Sequence, residues 1–387
     1  MPGLYIHIPF CVKKCAYCDF ISFENSPYMA RYVNALKAEM EVLAFRMPHR
    51  SYDTVFLGGG TPSALPLGAI GNILDTLKAR FPITENAEIT MEANPGTVSL
   101  EKLKEYRAAG VNRLSFGMQS ANDALLKGIG RIHTYADLLS SFALARDAGF
   151  MNINVDVMYG LPSQTVRDIG GTLNALTSLS PEHISAYSLI LEEGTPLHAS
   201  VGRGEVSLPD EDETYKQHRT CIETLQKNGY ERYEISNYAR RGVEKESPFR
   251  CWHNLNYWNN GEYIGLGLNA HSAMCIDGTW TRWNNTADLG EYLSRTESGG
   301  LPIEEKQSVG RGEEMFECVM LGFRKTEGIE LAAFEVRFNE SLQARYEAAI
   351  TRLVSLRWLE ISNGFARLTD RGLDMQNEVL LYFMDGE

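Results

Sequence analysis

The first two-thirds of the chain alternates two patterns of hydrophobic and polar positions. Short runs rich in β-branched and aromatic residues occur at Leu4–Pro9, Thr54–Leu57, Glu88–Glu92, Arg113–Gly117, Ile153–Tyr159 and His183–Ile190. Between them, apolar residues return every three or four positions, which predicts helices over Pro27–Phe45, Leu67–Phe81, Ser99–Ala109, Tyr135–Ala148 and Val166–Leu179. Ser99 stands ahead of Glu101 as a helix start, and Gly110 and Gly149 follow apolar-periodic runs as helix stops. A further helix at Asp210–Lys227 opens on acidic residues, which favour the positive end of the helix dipole, and ends before Gly229. Strands alternating with helices of this length predict an α/β fold with a parallel sheet, either an open doubly wound sheet or a partial barrel. Polar and glycine residues cluster just after four of the strands, in VFLGGGTP, ITMEANPG, LSFGMQS and VDVMYGLP. Carboxyl ends of parallel strands build active sites in sheets and barrels alike, so these four ends are expected to form one composite site.

From about Tyr238 the pattern changes. The stretch Ser247–Trp283 is dense in Trp, Tyr, Asn and Gly and shows no helical period. From about Leu301 the pattern predicts amphipathic helices at Glu313–Gly322, Leu331–Phe338 and Ser341–Leu356, then a hairpin in WLEISNGFARLT with Asn363-Gly364 as its turn, then a final helix. This divides the chain into a strand–helix region at 1–237, an aromatic-rich connecting segment at 238–300 and a small, mainly helical, winged-helix-like domain at 301–387.

Composition sharpens this picture mostly by exclusion. The chain has 387 residues, 44% of them hydrophobic, enough for a sizeable core without disulfide staples. Its 37 Lys and Arg face 50 Asp and Glu, a net charge of −13. That balance argues against nucleic acid as a partner, since binding phosphates needs clustered cations, and favours packing over DNA binding for the winged-helix-like end. The N-terminal sequence shows no secretory signal, and no apolar run reaches about 18 residues, so the chain is expected to be cytoplasmic and not an integral membrane protein. In a reducing compartment, clustered cysteines are more often ligands than disulfides. Of the seven cysteines, Cys11, Cys15 and Cys18 fall within eight residues.

The spacing Cys11-x3-Cys15-x2-Cys18, on a loop after a strand, suits three thiolates wrapping one face of an iron–sulfur cubane. Three ligands for four irons leave one iron open to a substrate or cofactor. A structural zinc site would want a fourth ligand nearby, and the nearest histidine, His7, lies inside the first strand. The bland alternative is a set of buried free thiols. Gly58-Gly59-Gly60-Thr61 ends the second strand with bare backbone that a ligand can approach, or else forms a tight turn.

YIHIPFCVKKCAYCDF resembles the signature of the radical S-adenosylmethionine (SAM) enzymes, in which an aromatic residue, here Tyr17, precedes the third cysteine. Over nearly its whole length the chain is similar to the branch that holds oxygen-independent coproporphyrinogen III dehydrogenase and the radical-SAM haem chaperones (HemW-type). The resemblance implies a partial (β/α)6 barrel and a [4Fe-4S] cluster on Cys11, Cys15 and Cys18. It also implies SAM chelated on the open iron, whose reductive cleavage gives a 5′-deoxyadenosyl radical. By the same resemblance Tyr5, Tyr17, Gly59, Gly60, Thr61 and Glu92 contact SAM. Gln119, Arg131 and Asp156 line the same cleft, where the dehydrogenase holds a second SAM. Asp156 lies in a Val/Ile-rich strand and is expected to have a partner, either Arg131 or a cofactor hydroxyl.

Two departures from the dehydrogenase favour the chaperone branch. Asp19-Phe20 stands where the dehydrogenase carries a fourth cysteine, and only Met1–Gly3 precede Leu4, where it has an extension covering its active site. The positive mark is Cys251-Trp252-His253-Asn254-Leu255-Asn256-Tyr257-Trp258, which matches the HNxxYW motif of the chaperones. His253 offers an imidazole to haem iron, Cys251 an alternative thiolate, and Tyr257 and Trp258 flat surface for a porphyrin face. The alternative is an aromatic-rich loop whose histidine is hydrogen-bonded in the core. His271 is expected to pack in the core, and Cys221, Cys275 and Cys318 remain as packing residues. The expected function is haem binding and delivery to recipient haemoproteins, with a homodimer left open. The rivals are a coproporphyrinogen III dehydrogenase and a radical-SAM enzyme acting on an unrelated substrate.

Overall fold

The computed structural model describes residues 2–24, 26–47, 50–242 and 248–384. Ser247, the first residue of the aromatic-rich stretch, and Met1 lie outside the described residues, as do 385–387. Six parallel strands form the centre: β1 (Gly3–Ile8), β2 (Tyr52–Gly59), β3 (Ile83–Ala93), β4 (Arg113–Gln119), β5 (Ile153–Tyr159) and β6 (His183–Ser188). They neighbour one another in chain order. A doubly wound sheet reverses its strand order partway, so this order selects the partial barrel. The connections carry α1 (Met29–Arg46), α2 (Ala69–Arg80), α3 (Leu100–Ala108), α4 (Tyr135–Asp147) and α5 (Val166–Ser178), and α6 (Glu211–Lys227) follows β6. Every residue of β4 is buried, as expected of a strand covered on both faces.

Helix starts are fixed where the sequence pattern placed them. Thr134 with Asp137, and Thr165 with Asp168, form reciprocal capping boxes, and Ser99 accepts a bond from the Lys102 amide. These caps start helices directly after the loops that leave the strand ends, and so hold those loops at the barrel mouth.

The segment after Tyr238 does more than connect. β7 (Tyr230–Arg232) and β8 (Asn237–Arg240) extend the sheet antiparallel beyond β6. On the other edge β9 (Tyr263–Leu266) pairs parallel with β1, and β10 (His271–Ile276), β11 (Thr279–Asn285) and β12 (Ile303–Ser308) follow antiparallel. The result is one 12-stranded sheet with β1 in its interior. The join is locked by Glu39 of α1, whose buried carboxylate accepts bonds from Tyr292 Oη (2.6 Å), Asn285 Nδ2 (2.6 Å) and the Gly267 amide (2.8 Å). A short helix, α7 (Trp252–Trp258), sits in the stretch that shows no helical period. Seven residues span under two turns, too few for periodicity to register.

The C-terminal region has its own core, centred on Val319, Phe323, Leu342, Leu353 and Val379. Leu359–Ser362 and Phe365–Leu368 form the expected hairpin, with Asn363 (φ 52°) and Gly364 (φ 83°) in the left-handed region. A third short strand, Ile329–Glu330, pairs with the second hairpin strand. The expected final helix is two, Asp370–Asp374 and Gln376–Met384. Four single-residue expectations divide. Cys221 is fully buried on α6. His271 begins an antiparallel strand and is exposed, so it does not pack in the core. Cys275, near the end of that strand, is exposed and does not pack either. Cys318 is only half-buried, because its helix turns that position toward a gap between domains. Among the described residues no helix is long and apolar enough to cross a membrane.

Candidate functional site

The cysteine loop leaves β1 at Ile8 and is closed by a two-residue ladder in which Cys11 pairs with Glu24. The Lys14 amide donates to Glu24 Oε1 at 2.7 Å, and the Ala16 amide to the Ile129 carbonyl at 3.0 Å. Gly130 makes the second contact feasible, since a Cβ there would stand 3.0 Å from the Ala16 nitrogen. Cys11 is buried, with its sulfur 3.5 Å from Thr61 Oγ1, while Cys15 and Cys18 are partly exposed. All three are free thiols, near enough to one another that ionised neighbours help to raise the Cys15 and Cys18 pKa, burial being the larger cause. Among the described residues no three His, Cys, Asp or Glu side chains converge on a single ion. A cubane gives each thiolate its own iron corner, so three separate free thiols on one loop are the donor set it needs. The donor chemistry fits a [4Fe-4S] cluster.

The glycines after β2 serve a tighter purpose than ligand approach alone. Gly59 has φ 107°, and a Cβ on it would lie 2.4 Å from the His7 ring. The Gly60 amide donates to the Ile8 carbonyl and the Thr61 amide to the Phe10 carbonyl, at 2.9 and 2.8 Å. Bare backbone here lets the end of β2 press against the cysteine loop. Thr61 then touches both sides, meeting Cys11 and accepting from Asn94 Nδ2 at 2.8 Å.

The polar residues expected in the cleft do gather along neighbouring strands. Tyr5 donates to His7 Nδ1 at 3.0 Å, and burial holds that imidazole neutral, with its pKa lowered to about 4. Glu92 accepts from the Gly59 amide at 3.2 Å. Arg131 donates to Asn94 Oδ1 at 2.8 Å and lies over the Tyr17 ring, 6.0 Å from its centroid. Gly117 leaves room for it, since a Cβ there would meet the guanidinium at 3.0 Å. Gln119 ends β4 with φ 69° and accepts from Tyr187 Oη at 3.0 Å. A non-glycine residue held at positive φ in a cleft is local strain of the kind found at binding sites. Asp156 has partners within the barrel: Asn154 Nδ2 donates to it at 2.7 Å, Ser185 also bonds it, and Arg131 acts on it through its charge without a hydrogen bond. Asn154 lies two residues back on the same strand face, and the Arg131 guanidinium is hydrogen-bonded to Asn94. Asn94, Asn154 and Tyr187 were not singled out from the sequence; only Asn94, inside MEANPG, carried a signal.

Burial, and then the nearby Asp156 carboxylate, push the Glu92 pKa up from 4.5 to about 8. Between those pH values the unfolded chain has released a proton that the folded chain keeps, so this group lowers stability as pH rises. Each pKa unit is about 1.4 kcal/mol, making the cost on the order of 4 kcal/mol by pH 8. Glu92→Gln is therefore expected to melt above the unmodified protein at pH 8, with the gap closing by pH 5. Equal melting temperatures at both pH values would contradict the placement of Glu92.

The HNxxYW residues lie at the other end of the barrel. Glu88, early in β3, caps α7: its carboxylate accepts from the Trp252 and His253 amides, both at 3.1 Å, and the Cys251 thiol donates to it at 3.5 Å. His253 is 1% exposed and stacks on Phe56, with ring centroids 5.2 Å apart. Its Nδ1 meets Thr54 Oγ1 at 2.9 Å and its Nε2 meets Tyr257 Oη at 3.0 Å. Cys251 is fully buried, and burial pushes its thiol up to about 12. Both groups are thus closed to an iron atom in this conformation, while Tyr257 and Trp258 are half-buried and Trp252 is exposed. From Thr54 to the Gly60 turn is six strand residues, about 20 Å. The two groups of residues do not form one pocket. They are joined through the barrel interior: Asn154 Oδ1 accepts from His183 Nδ1 (2.6 Å), Tyr233 Oη donates to His183 Nε2 (2.8 Å), and the Cys251 amide donates to Tyr233 Oη (3.0 Å).

Comparison with known proteins bears on both ends. The sequence profile of the radical SAM superfamily matches residues 5–176, and that of the HemN C-terminal domain matches 311–375. The chain is 36% identical over 386 residues to the heme chaperone HemW of Bacillus subtilis (strain 168), covering 99% of each chain. It is 34% identical over 388 residues to the heme chaperone HemW of Escherichia coli (strain K12), covering 99% of this chain and 98% of that one. Among solved structures, coproporphyrinogen III oxidase (HemN) from Escherichia coli, a radical SAM enzyme, superposes with a TM-score of 0.83 over 99% of this chain and 90% of its own. At 22% identity that likeness speaks for the fold alone.

Proposed function

Because the chain belongs to the HemW family of haem chaperones, within the radical SAM superfamily, we propose that it binds haem and passes it to recipient haemoproteins in the cytoplasm. The observation that carries this reading is end-to-end similarity to chaperones so named, which takes in the barrel, the HNxxYW segment and the C-terminal domain together. The Asp19-Phe20 pair after the third cysteine and the intact Cys251–Trp258 motif support the same branch.

In this reading Cys11, Cys15 and Cys18 hold a [4Fe-4S] cluster whose open iron takes SAM, a pair that supplies one-electron reductive chemistry. Tyr5, Tyr17, Gly59, Gly60, Thr61 and Glu92 shape the SAM cleft, and Gln119, Arg131 and Asp156 continue its polar wall. The buried Glu92 suits a cationic ligand, because a nearby positive charge would restore its carboxylate and remove the cost of keeping it neutral. Haem contacts the α7 region, where the half-buried rings of Tyr257 and Trp258 offer porphyrin-facing surface. His253 and Cys251 reach iron only if α7 opens.

The chain is expected to leave coproporphyrinogen III undecarboxylated when reconstituted anaerobically with SAM and a reductant, as read by product mass spectrometry. Formation of protoporphyrinogen IX over repeated turnovers would transfer it to the dehydrogenase branch.

A further inference from the structure

Between α7, the start of β2 and β3, and the C-terminal domain lies a cavity of about 750 Å3. That is within the range of sites that enclose a drug-sized ligand. It is distinct from the cysteine loop, and among the described residues no histidine lines it. Trp252 and Trp258 of α7 form one wall, and Phe334 with Phe338 of the C-terminal domain form another. Facing aromatic walls suit a flat, apolar ring system.

The polar groups in this cavity are unusual for a packing gap. Lys325 lines it half-buried, and among the described residues its ammonium bonds the Asn259 side-chain oxygen. Among the described residues no carboxylate forms an ion pair with it; Glu327 and Glu330 act on it from farther off, and burial, the larger influence, lowers its pKa. Trp258 Nε1 is buried with no hydrogen-bond partner. Of the four acidic lining groups, Glu88 caps α7, Asp53 accepts from Thr84, Glu327 faces Arg250 at 3.8 Å, and Glu330 acts on Lys325 at longer range. Cys318, on the helix Arg311–Gly322, lines the same space, its sulfur meeting Asn260 Nδ2 at 3.5 Å. A flat aromatic cleft with a cation short of a carboxylate and a soft sulfur donor describes a metalloporphyrin bearing carboxylate arms.

Resting on the haem-chaperone reading, we propose that this interdomain cavity is where haem sits, with Cys318 Sγ toward the iron and Lys325 toward a propionate. Coordination replaces the thiol proton with iron and releases that proton to solvent; no electron changes hands. Trp258 is the part of the HNxxYW motif that touches the ligand. His253 is a positioning residue, fixing α7 through Thr54 and Tyr257. The sequence gives no sign of this site, because its walls come from three regions far apart in the chain.

The test uses the full-length, cluster-reconstituted protein and two ligands, ferric haem and metal-free protoporphyrin IX. Ala333 is an exposed residue on the cavity wall, so Ala333→Trp fills the space without touching the core. It is expected to weaken both ligands at least about tenfold. Cys318→Ala is expected to shift the Soret band of the haem complex and weaken haem about tenfold, while leaving metal-free protoporphyrin unchanged. Lys325→Met should weaken both ligands. Retained cluster absorbance and melting temperature show that each variant is folded. If the unmodified protein binds haem and all three variants match it, the cavity is not the site, although the chaperone reading survives. If the unmodified protein binds no haem at all, that reading falls first.

Discussion

Cys18→Ser is expected to give a folded chain that takes up less than one-tenth of the iron and sulfide that the unmodified protein acquires on anaerobic reconstitution. The loop that carries Cys18 is held by backbone contacts independent of its sulfur, including its own amide to the Cys15 carbonyl at 3.2 Å. It is also held by the Cys11–Glu24 ladder. Removing the thiol therefore costs little in folding. On the proposed assignment its loss takes one of three ligands from the cluster, and a hydroxyl is a poor replacement for thiolate at iron. Cys275→Ser is the matched control, since Cys275 is exposed on β10, in the part of the sheet beyond β1. Full cluster loading in Cys18→Ser, by iron analysis and the charge-transfer absorbance of the cluster, would remove Cys18 from the ligand set.

Gly60→Ala is expected to be as damaging by a different route. The added Cβ would stand 2.7 Å from the Phe10 carbonyl oxygen, 2.9 Å from that of Ile8 and 2.9 Å from the Phe10 nitrogen. All three are backbone atoms of the segment that leads into Cys11, so no side chain can swing aside. Relief requires pulling the cysteine loop away from the end of β2, which breaks the Gly60 and Thr61 amide bonds and parts Thr61 from Cys11. Overpacking of this kind costs roughly 1–3 kcal/mol, and each buried polar group left unpaired about 1–3 kcal/mol more. The expected outcome is a fall in melting temperature together with cluster loading below half. Gly68→Ala is the comparison, because a Cβ there meets nothing within 4 Å, though its φ of 87° alone adds modest strain. A Gly60→Ala protein that melts and loads like the unmodified chain would show that the contact between glycine turn and cysteine loop is dispensable.

Much of the barrel was legible because it rests on local signals. The β5 run Ile153–Tyr159 was read to the residue, and the starts of α4 and α5 stand where apolar periodicity begins behind Thr134 and Thr165. The consecutive strand order was not legible, since hydrophobic period says nothing about which strands are neighbours. The partial barrel came from resemblance. Likewise nothing local announces that Tyr263–Leu266 lies beside β1, a pairing across some 260 residues sealed by the buried Glu39. The cysteine loop was readable from spacing alone, whereas the two-ended placement of the site was not. The chemistry of His253 permits an iron ligand or a hydrogen-bonded core histidine, and in this structure both its nitrogens meet Thr54 and Tyr257. Whether a histidine faces a ligand or a neighbour is decided by packing, which sequence patterns do not carry. The same limit hid the cavity at Cys318, and made His271 look buried when it is exposed.

The most direct measurement of the central claim is haem transfer. The protein is loaded with one equivalent of ferrous haem under anaerobic conditions, separated from free haem and mixed with a haem-free acceptor haemoprotein. Soret spectra of both are then followed with time. The account predicts that the acceptor gains its holo spectrum as the donor loses its own, faster than from haem held by an unrelated carrier such as serum albumin. Haem that stays on the donor, or reaches the acceptor no faster than from that carrier, would contradict it.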